Sequence, residues 1–319
     1  MREKLRRYWK ISVIAVLIIS VIAFSIINSR VLSAANLGLV LQQVTVIAML
    51  ALGQTLIILT AGIDLSVGAI AVFTSILMAK VFATQMGLPG IVALVLGFLC
   101  GTAMGLANGL LVTRLKLPPF IVTLGTLSIF FSLNYVLSEG ETIRGSDMPG
   151  LLTWTGNSFP IGSFRVTYGS LIMLLAFAFF WYALKLTSWG KHVYATGDDD
   201  EAARLAGIKT DRVLLSVYTV AGLLYGIAAW VLMGRLASAA PNIGLEYNLD
   251  SITAVVLGGT SLFGGRGAVL GTLVGALIVG VFRNGLQLAG VPVTWQGFAI
   301  GLLVLFAVTV DQWIRKVKV

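Results

Sequence analysis

The chain has 319 residues, of which 58% are hydrophobic and only 11% are charged. Soluble domains carry about 25% charged residues, so this composition excludes a water-soluble globular protein and predicts an all-α polytopic membrane protein. The net charge of +9 does not indicate a nucleic-acid partner, because no soluble segment is long enough to carry a nucleic-acid-binding module.

Ten segments are apolar and long enough to be transmembrane helices, within a single domain that covers residues 1–319. A spanning helix needs about 20 mostly apolar residues. The first segment exceeds the roughly 7–15 apolar residues of a secretory signal, which favours a retained helix over a cleaved leader. The candidates are residues 11–28, 37–59, 67–86, 89–113, 120–137, 169–186, 213–234, 248–263, 268–289 and 294–313.

The positions of lysine and arginine predict the orientation, because cytoplasmic loops carry an excess of both. With the N-terminus inside, ten spans place most of these residues on the inner side, including Arg114 and Lys116. Both termini are therefore predicted to be cytoplasmic, with a long outer loop at 138–168 and a long inner loop at 187–212. The eighth segment is the weakest, but omitting it would place Arg266 and the basic C-terminus outside.

Polar side chains inside the spans are candidates for a translocation path. Asp64 lies in the break between the second and third spans, and a carboxylate near hydrocarbon needs a partner, a water-lined cavity or a task. Amide and hydroxyl groups both donate and accept hydrogen bonds, which suits the passage of an uncharged polyol. The expected path and gate residues are Gln42, Gln43, Gln54, Thr55, Asp64, Ser66, Asn108, Asn134, Asn284 and Gln287.

Two interpretations of these polar residues stay open at this point. Each of them could instead bond neighbouring helices to one another. Asp64 could likewise cap the helix that begins after Ser66, rather than act in gating.

Glycines recur every fourth residue in several spans. Such ridges let helix backbones approach closely inside a membrane, so they predict tight helix packing rather than chemistry. The series are Gly97, Gly101, Gly105 and Gly109; Gly267, Gly271 and Gly275; and the pairs Gly222/Gly226 and Gly297/Gly301.

The long inner loop contains a second informative segment. Residues Tyr194 to Ile208 have the pattern of one short amphipathic helix, with acidic residues at its start, where the helix dipole favours negative charge, and Gly207 at its end. A defined helix on an otherwise compact cytoplasmic surface predicts docking to a partner protein.

The sequence contains no pattern typical of an enzyme. It has one histidine and one cysteine, so a metal site built on His or Cys spacing is not expected. It lacks the phosphate-binding loop of ATPases and the nucleophile elbow of hydrolases. We therefore expect a chain that is not an enzyme, binds no cofactor and does not hydrolyse ATP alone.

Five segments in order resemble the permease subunits of ribose-type bacterial ABC importers. They are residues 62–68 (Gly-Ile-Asp-Leu-Ser-Val-Gly), 119–125 (Pro-Phe-Ile-Val-Thr-Leu-Gly), 201–208 (Glu-Ala-Ala-Arg-Leu-Ala-Gly-Ile), 254–267 and 283–286 (Arg-Asn-Gly-Leu). The resemblance covers nearly the whole chain. It implies the ABC importer permease fold in the bacterial inner membrane, in contact with lipid.

The resemblance also implies partners. These are a second permease copy or a homologous permease, cytoplasmic ABC ATPase subunits that carry the ATP and Mg²⁺, and a periplasmic sugar-binding protein that docks on 138–168 and 235–250. The family's coupling helix, which seats in the ATPase, corresponds to Asp198, Asp199, Asp200, Glu201, Ala202, Ala203, Arg204, Leu205 and Gly207. This chain has Gly-Asp-Asp-Asp where the family usually has Gly-Gly-Asn.

The expected cargo is a monosaccharide, with ribose or another pentose favoured and hexoses, furanose sugars and other polyols open. The competing interpretation is a secondary sugar or polyol transporter, or a channel, that acts without an ATPase. Such a protein would use Asp64 as its ion-coupling carboxylate.

Overall fold

The computed structural model describes residues 2–316, and the side chains of residues 13–305 and 309. The basic side chains at 2–10 and 315–318, used above for orientation, lie outside the described side chains. The helices are α1 Arg2–Ile27, α2 Ala34–Leu59, α3 Val67–Ile76, α4 Gly90–Arg114, α5 Pro119–Ser138, α6 Gly150–Thr153, α7 Tyr168–Leu186, α8 Ser188–Asp198, α9 Asp200–Leu205, α10 Thr210–Leu236, α11 Leu245–Leu257, α12 Val269–Leu288 and α13 Val293–Lys316.

The helix α2 forms the centre of the bundle. From Val44 to Leu59 every residue is buried, as expected for a helix that is apolar on all sides. It packs against α7, α10, α11 and α12. The core therefore surrounds the helix that leads directly into the break at Gly62–Gly68.

Glycine contacts join α4 to α10 and α11 to α12, as the spacing predicts. Gly101 and Gly105 lie directly against the backbone of Gly222. Gly271 packs on Gly258 in the same manner. The pair Gly297/Gly301 is different, because open space surrounds the positions where their β-carbons would lie, so the packing prediction is wrong for that pair within the described chain.

Among the described residues, seven helices are long and apolar enough to cross a membrane, and they coincide with seven of the ten predicted spans. They are residues 34–59, 67–85, 90–114, 119–138, 168–186, 210–236 and 269–288. The apolar parts of α1 and α13 among the described residues are shorter, at Val13–Ile27 and Val293–Leu305.

The eighth predicted span, residues 248–263, has the wrong boundaries. The helix α11 has 13 residues and ends at Leu257, followed by a connector in which Gly259, Gly264, Gly265 and Gly267 have positive φ. Thirteen residues form about 20 Å of helix, which is less than the roughly 30 Å of bilayer hydrocarbon. Glycine-rich backbone therefore replaces the last third of the predicted span.

The helix α3 continues without a break into a nine-residue π-helix, Leu77–Gln85. Hydrogen bonds in a π-helix join residues five apart, and such segments are rare. The sequence pattern predicts one helix over 67–86, and the continuous path of the chain agrees with it. The change of helical type was not predicted.

Short strands occur in the connectors that follow α5 and α10, where the all-α prediction had none. Strand β1 (Ile143–Arg144) pairs with β4 (Ser238–Ala239), and β2 (Ser158–Ile161) pairs with β3 (Phe164–Thr167), both antiparallel. The first pair ties the connector after α5 to the end of α10. Helices remain the main secondary structure of the described residues.

Candidate translocation path and coupling surface

Asp64 forms the turn that starts α3. One oxygen of its carboxylate, Oδ1, accepts hydrogen bonds from the Ser66 amide at 2.7 Å and the Ser66 hydroxyl at 2.6 Å. Asn108 from α4 donates its side-chain amide to the Ser66 hydroxyl at 3.0 Å. All three side chains are almost fully buried, so the carboxylate is satisfied by a local turn that a second helix supports.

Gln54 from α2 completes this cluster. With its amide oriented to suit the surrounding groups, its nitrogen donates to the Asp64 carbonyl oxygen at 3.1 Å and its oxygen accepts from the Asp64 amide at 3.3 Å. The chain after α2 therefore turns back beside the last turns of α2 before α3 begins. Four of the ten predicted path residues, Gln54, Asp64, Ser66 and Asn108, are in one place.

The start of α11 contacts the start of α3. The Asn248 side-chain oxygen accepts a hydrogen bond from the Gly68 amide at 2.6 Å, which satisfies one of the free N–H groups at a helix N-terminus. The Gly68 backbone also lies directly against Gly244. Nearby, Thr55 on α2 bonds to Thr272 on α12 at 2.7 Å.

The remaining predicted path residues lie apart from this cluster. Asn284 pairs with Asn36 at 2.9 Å in the interior. Asn134 is buried in α5, and neither amide atom has a hydrogen-bond partner. Gln42 and Gln43 are half-buried, and Gln287 is exposed.

A charged network on α11 and α12 was not among the predicted site residues. Arg283 donates to Glu246 at 2.9 Å and to Asp250 at 2.9 Å. Arg235 donates to the Tyr247 hydroxyl at 3.2 Å. The available signal was an arginine within an apolar helix, together with two acids four residues apart at the start of another helix.

The predicted amphipathic helix at 194–208 is in fact two helices. The chain is extended at Asp199 (φ −159°, ψ 105°), which separates α8 from α9. The Asp199 side chain accepts a hydrogen bond from the Ala202 amide at 2.9 Å, so it caps α9 and favours the break over a continuous helix. Gly207, with φ +87°, ends the segment as the sequence predicts.

The helix α9 has one buried and one exposed face. Ala203 packs inward, whereas Leu205 is 86% exposed. Arg204 bonds to Asp200 at 2.8 Å and to the Thr210 hydroxyl at 3.2 Å, which holds the helix against the start of α10. Asp198, Asp199, Asp200, Glu201, Ala202 and Gly207 are all exposed.

A cavity of about 280 Å³ lies beside α9. Its rim carries Lys116, which bonds to Asp211 at 2.7 Å, and Arg204 of α9; Tyr218 also lines it. The described residues contain no group of three or more His, Cys, Asp or Glu side chains that could hold a metal ion.

The segment before α9 contacts the break after α2 directly. Gly197 lies against the carbonyl oxygen of Leu59, which also accepts a hydrogen bond from the Gly265 amide at 3.0 Å. The Tyr194 hydroxyl donates to the Gly267 carbonyl oxygen at 3.0 Å. The segment α8–α9, the end of α2 and the connector after α11 therefore meet at one point.

The sequence profile of the family described as "Branched-chain amino acid transport system / permease component" matches residues 36–308. The chain belongs to this permease family. Membership and the seven long apolar helices identify a multi-pass protein of the inner membrane.

Relatives of this permease carry names that refer to sugars. It is 49% identical to a fructose import permease of Rhizobium meliloti over 95% of this chain and 85% of that protein. It is 41% identical to a ribose import permease of Bacillus subtilis (93% and 90% covered) and 36% identical to a galactose/methyl galactoside import permease of Escherichia coli (95% and 93% covered). No solved structure matches the chain. The resemblance to ABC sugar permeases is confirmed.

Proposed function

We propose that this permease is the membrane-spanning subunit of an ATP-driven importer and passes a monosaccharide into the cytoplasm. The observation that carries the proposal is the 49% identity to a fructose import permease over nearly the whole chain. Ribose and fructose are the two sugars to test first, because the relative at 41% identity is a ribose import permease.

In this proposal the energy comes from ATP, which binds with Mg²⁺ to a pair of separate cytoplasmic ATPase subunits. The exposed face of α9 supports their docking there. An 86% exposed leucine beside the exposed Glu201 combines an apolar anchor with charge. The acids Asp198, Asp199 and Asp200 add negative charge, so we propose an ATPase partner with a basic docking cleft.

The path of the sugar follows the polar residues predicted from the sequence, from the half-buried Gln42 and Gln43 towards the Asp64 cluster. We propose ten spans with both termini cytoplasmic in a single domain, and a dimer with a second copy or a homologous permease. A periplasmic sugar-binding protein would dock on the outer connector 138–168 and on the connector between α10 and α11, which is 237–244 rather than the predicted 235–250 because α11 already begins at Leu245.

A secondary transporter would need an ion-coupling carboxylate near the middle of the membrane. The bonded oxygen of Asp64 is held by both the amide and the hydroxyl of Ser66. That arrangement favours a structural turn and supports the ATP-driven scheme.

The docking proposal is tested by Leu205→Ser and Glu201→Lys, with Ile161→Ser as the control. Ile161 is 58% exposed in the outer connector. Co-purification of the ATPase with the permease should fall about tenfold or more in the two α9 variants, since the few side chains that dominate an interface each contribute about 2 kcal/mol or more. The control should retain the ATPase. Undiminished co-purification of both α9 variants would refute the docking site.

A further inference from the structure

Three charged side chains at the start of α11 and within α12 form one cluster. Arg283 Nη1 donates to Glu246 Oε2 at 2.9 Å, and Nη2 donates to Asp250 Oδ1 at 2.9 Å. Nη2 also lies 2.8 Å from the other oxygen of Asp250, Oδ2. One guanidinium thus bridges two carboxylates on the neighbouring helix.

The cluster lies at membrane depth. The inner end of α11 is fixed by Gly258, which packs on Gly271 near the start of the spanning helix α12. Gly258 is the twelfth residue after Glu246, which corresponds to about 18 Å of helix. By the same measure, Arg283 lies about 21 Å from Val269, the first residue of α12. Both distances fall inside the roughly 30 Å of bilayer hydrocarbon.

Two members of the cluster are partly exposed. The Glu246 side chain is 54% exposed and that of Arg283 is 24% exposed. A charged group that faced lipid at this depth would carry a large free-energy cost, so charged side chains in membranes face a water-filled cavity or other protein groups. The exposed side of Glu246 therefore faces water or polar groups rather than lipid.

Hydrogen-bonding capacity in the cluster is not fully used. Asp250 is 1% exposed, and although its Oδ2 lies 2.8 Å from Nη2 of Arg283, that contact lacks hydrogen-bond geometry. Nε of Arg283 has no acceptor. Buried polar atoms in native proteins nearly always have partners. A hydroxyl group can supply either missing partner because it donates and accepts.

We propose that Glu246, Asp250 and Arg283 form a hydroxyl-binding subsite in the translocation path, with neutral polyhydroxylated solutes as its ligands. This inference rests on the proposed import function and adds a specificity-determining site to it. The carboxylates accept from sugar hydroxyls and the guanidinium donates to them. Arg235 bonds to the adjacent Tyr247. With Arg235 included, two carboxylates and two guanidinium groups give a net charge of zero, which suits an uncharged solute.

The test compares uptake of a sugar with uptake of its monodeoxy analogues. The importer is assembled in proteoliposomes with its ATPase and sugar-binding protein, and the sugar is whichever of D-ribose, D-fructose and D-galactose the unmodified importer takes up. The variants are Glu246→Gln and Asp250→Asn. Glu246→Gln changes a half-exposed group, so it keeps the test valid if Asp250→Asn fails to fold.

The control is Asp211→Asn, which removes a carboxylate of similar exposure. The Asp211 side chain is 52% exposed and bonds to Lys116 at 2.7 Å on the inner side. The unmodified importer should prefer the sugar over the analogue that lacks the bound hydroxyl by about tenfold, as expected for a hydrogen bond to a charged group. Glu246→Gln should reduce that ratio towards one, and Asp211→Asn should leave it unchanged.

The ratio separates a sugar contact from a structural ion pair. A purely structural role would lower the uptake of the sugar and its analogues equally. An unchanged ratio in Glu246→Gln and Asp250→Asn would overturn the subsite and leave the import function standing. Absence of ATP-dependent uptake by the unmodified importer would overturn the proposed function and this inference with it.

Discussion

Gly197, at the end of α8, lies against the carbonyl oxygen of Leu59, the last residue of α2, so closely that no β-carbon fits between them. The same oxygen accepts a hydrogen bond from Gly265 in the connector after α11. A displacement of the segment α8–α9 would therefore act directly on the backbone that leads into the Asp64 turn.

Substitution of Gly197 by alanine should disturb this contact. The added β-carbon would overlap the Leu59 carbonyl, and overpacking of a tight contact costs about 1–3 kcal/mol. We expect a lower melting temperature in detergent and reduced ATP-dependent uptake. Gly125→Ala is the control, because nothing lies within 4 Å of its added carbon, and it should match the unmodified chain. Equal melting temperatures for the two variants would contradict the contact.

Two substitutions of Asp64 separate a structural turn from a gate. Asp64→Ala removes the acceptor of both Ser66 hydrogen bonds and should cost about 1–3 kcal/mol of stability. Asp64→Asn keeps an acceptor oxygen and should retain most of the stability. Thermal unfolding measures the stability of both variants, and proteoliposome uptake by Asp64→Asn tests whether the carboxylate acts in gating. If Asp64→Asn unfolds as readily as Asp64→Ala, the negative charge itself holds the turn.

The buried amide of Asn134 should be dispensable for stability. Neither of its amide atoms has a partner, so Asn134→Leu removes unsatisfied polar atoms and should raise stability by about 1 kcal/mol or more. Uptake should fall if this amide contacts the passing sugar. Asn108→Leu is the matched comparison: it breaks the bond to Ser66 and should lower stability. A destabilised Asn134→Leu would indicate a partner for the amide that this structure does not hold.

Helix packing between α4 and α10 depends on glycine. A β-carbon at Gly105 would meet the Tyr218 carbonyl oxygen and the Gly222 backbone, so Gly105→Val should prevent the two helices from approaching. We expect little folded protein by size-exclusion chromatography in detergent. Gly301→Val, in open space, should be recovered normally, and the packing account is refuted if both variants behave alike.

The sequence predicts the membrane helices well because their signal is local. Runs of about 20 apolar residues predict seven of these helices. Glycine spacing identifies which helix faces pack closely, as at Gly101 and Gly105. The break at Asp64 is also visible, since Gly62 and Ser66 interrupt an apolar run. These features depend on residues close together along the chain.

The parts that were missed depend on tertiary contacts. The end of α11 at Leu257 is set by a glycine-rich connector that packs on α2, although Leu262 and Phe263 in that connector are apolar. The interruption at Asp199 arises from a capping hydrogen bond that competes with helix continuation. The network around Arg283 required two helices to be brought together, and sequence spacing within each helix could not pair them.

The most direct test of the central claim measures sugar accumulation by proteoliposomes that contain the permease alone or together with its ATPase and sugar-binding protein. Radiolabelled ribose and fructose are supplied outside, with and without ATP inside. The account predicts concentration of one sugar only in the complete assembly with ATP. Accumulation driven by the permease alone, under an ion gradient and without ATP, would contradict it.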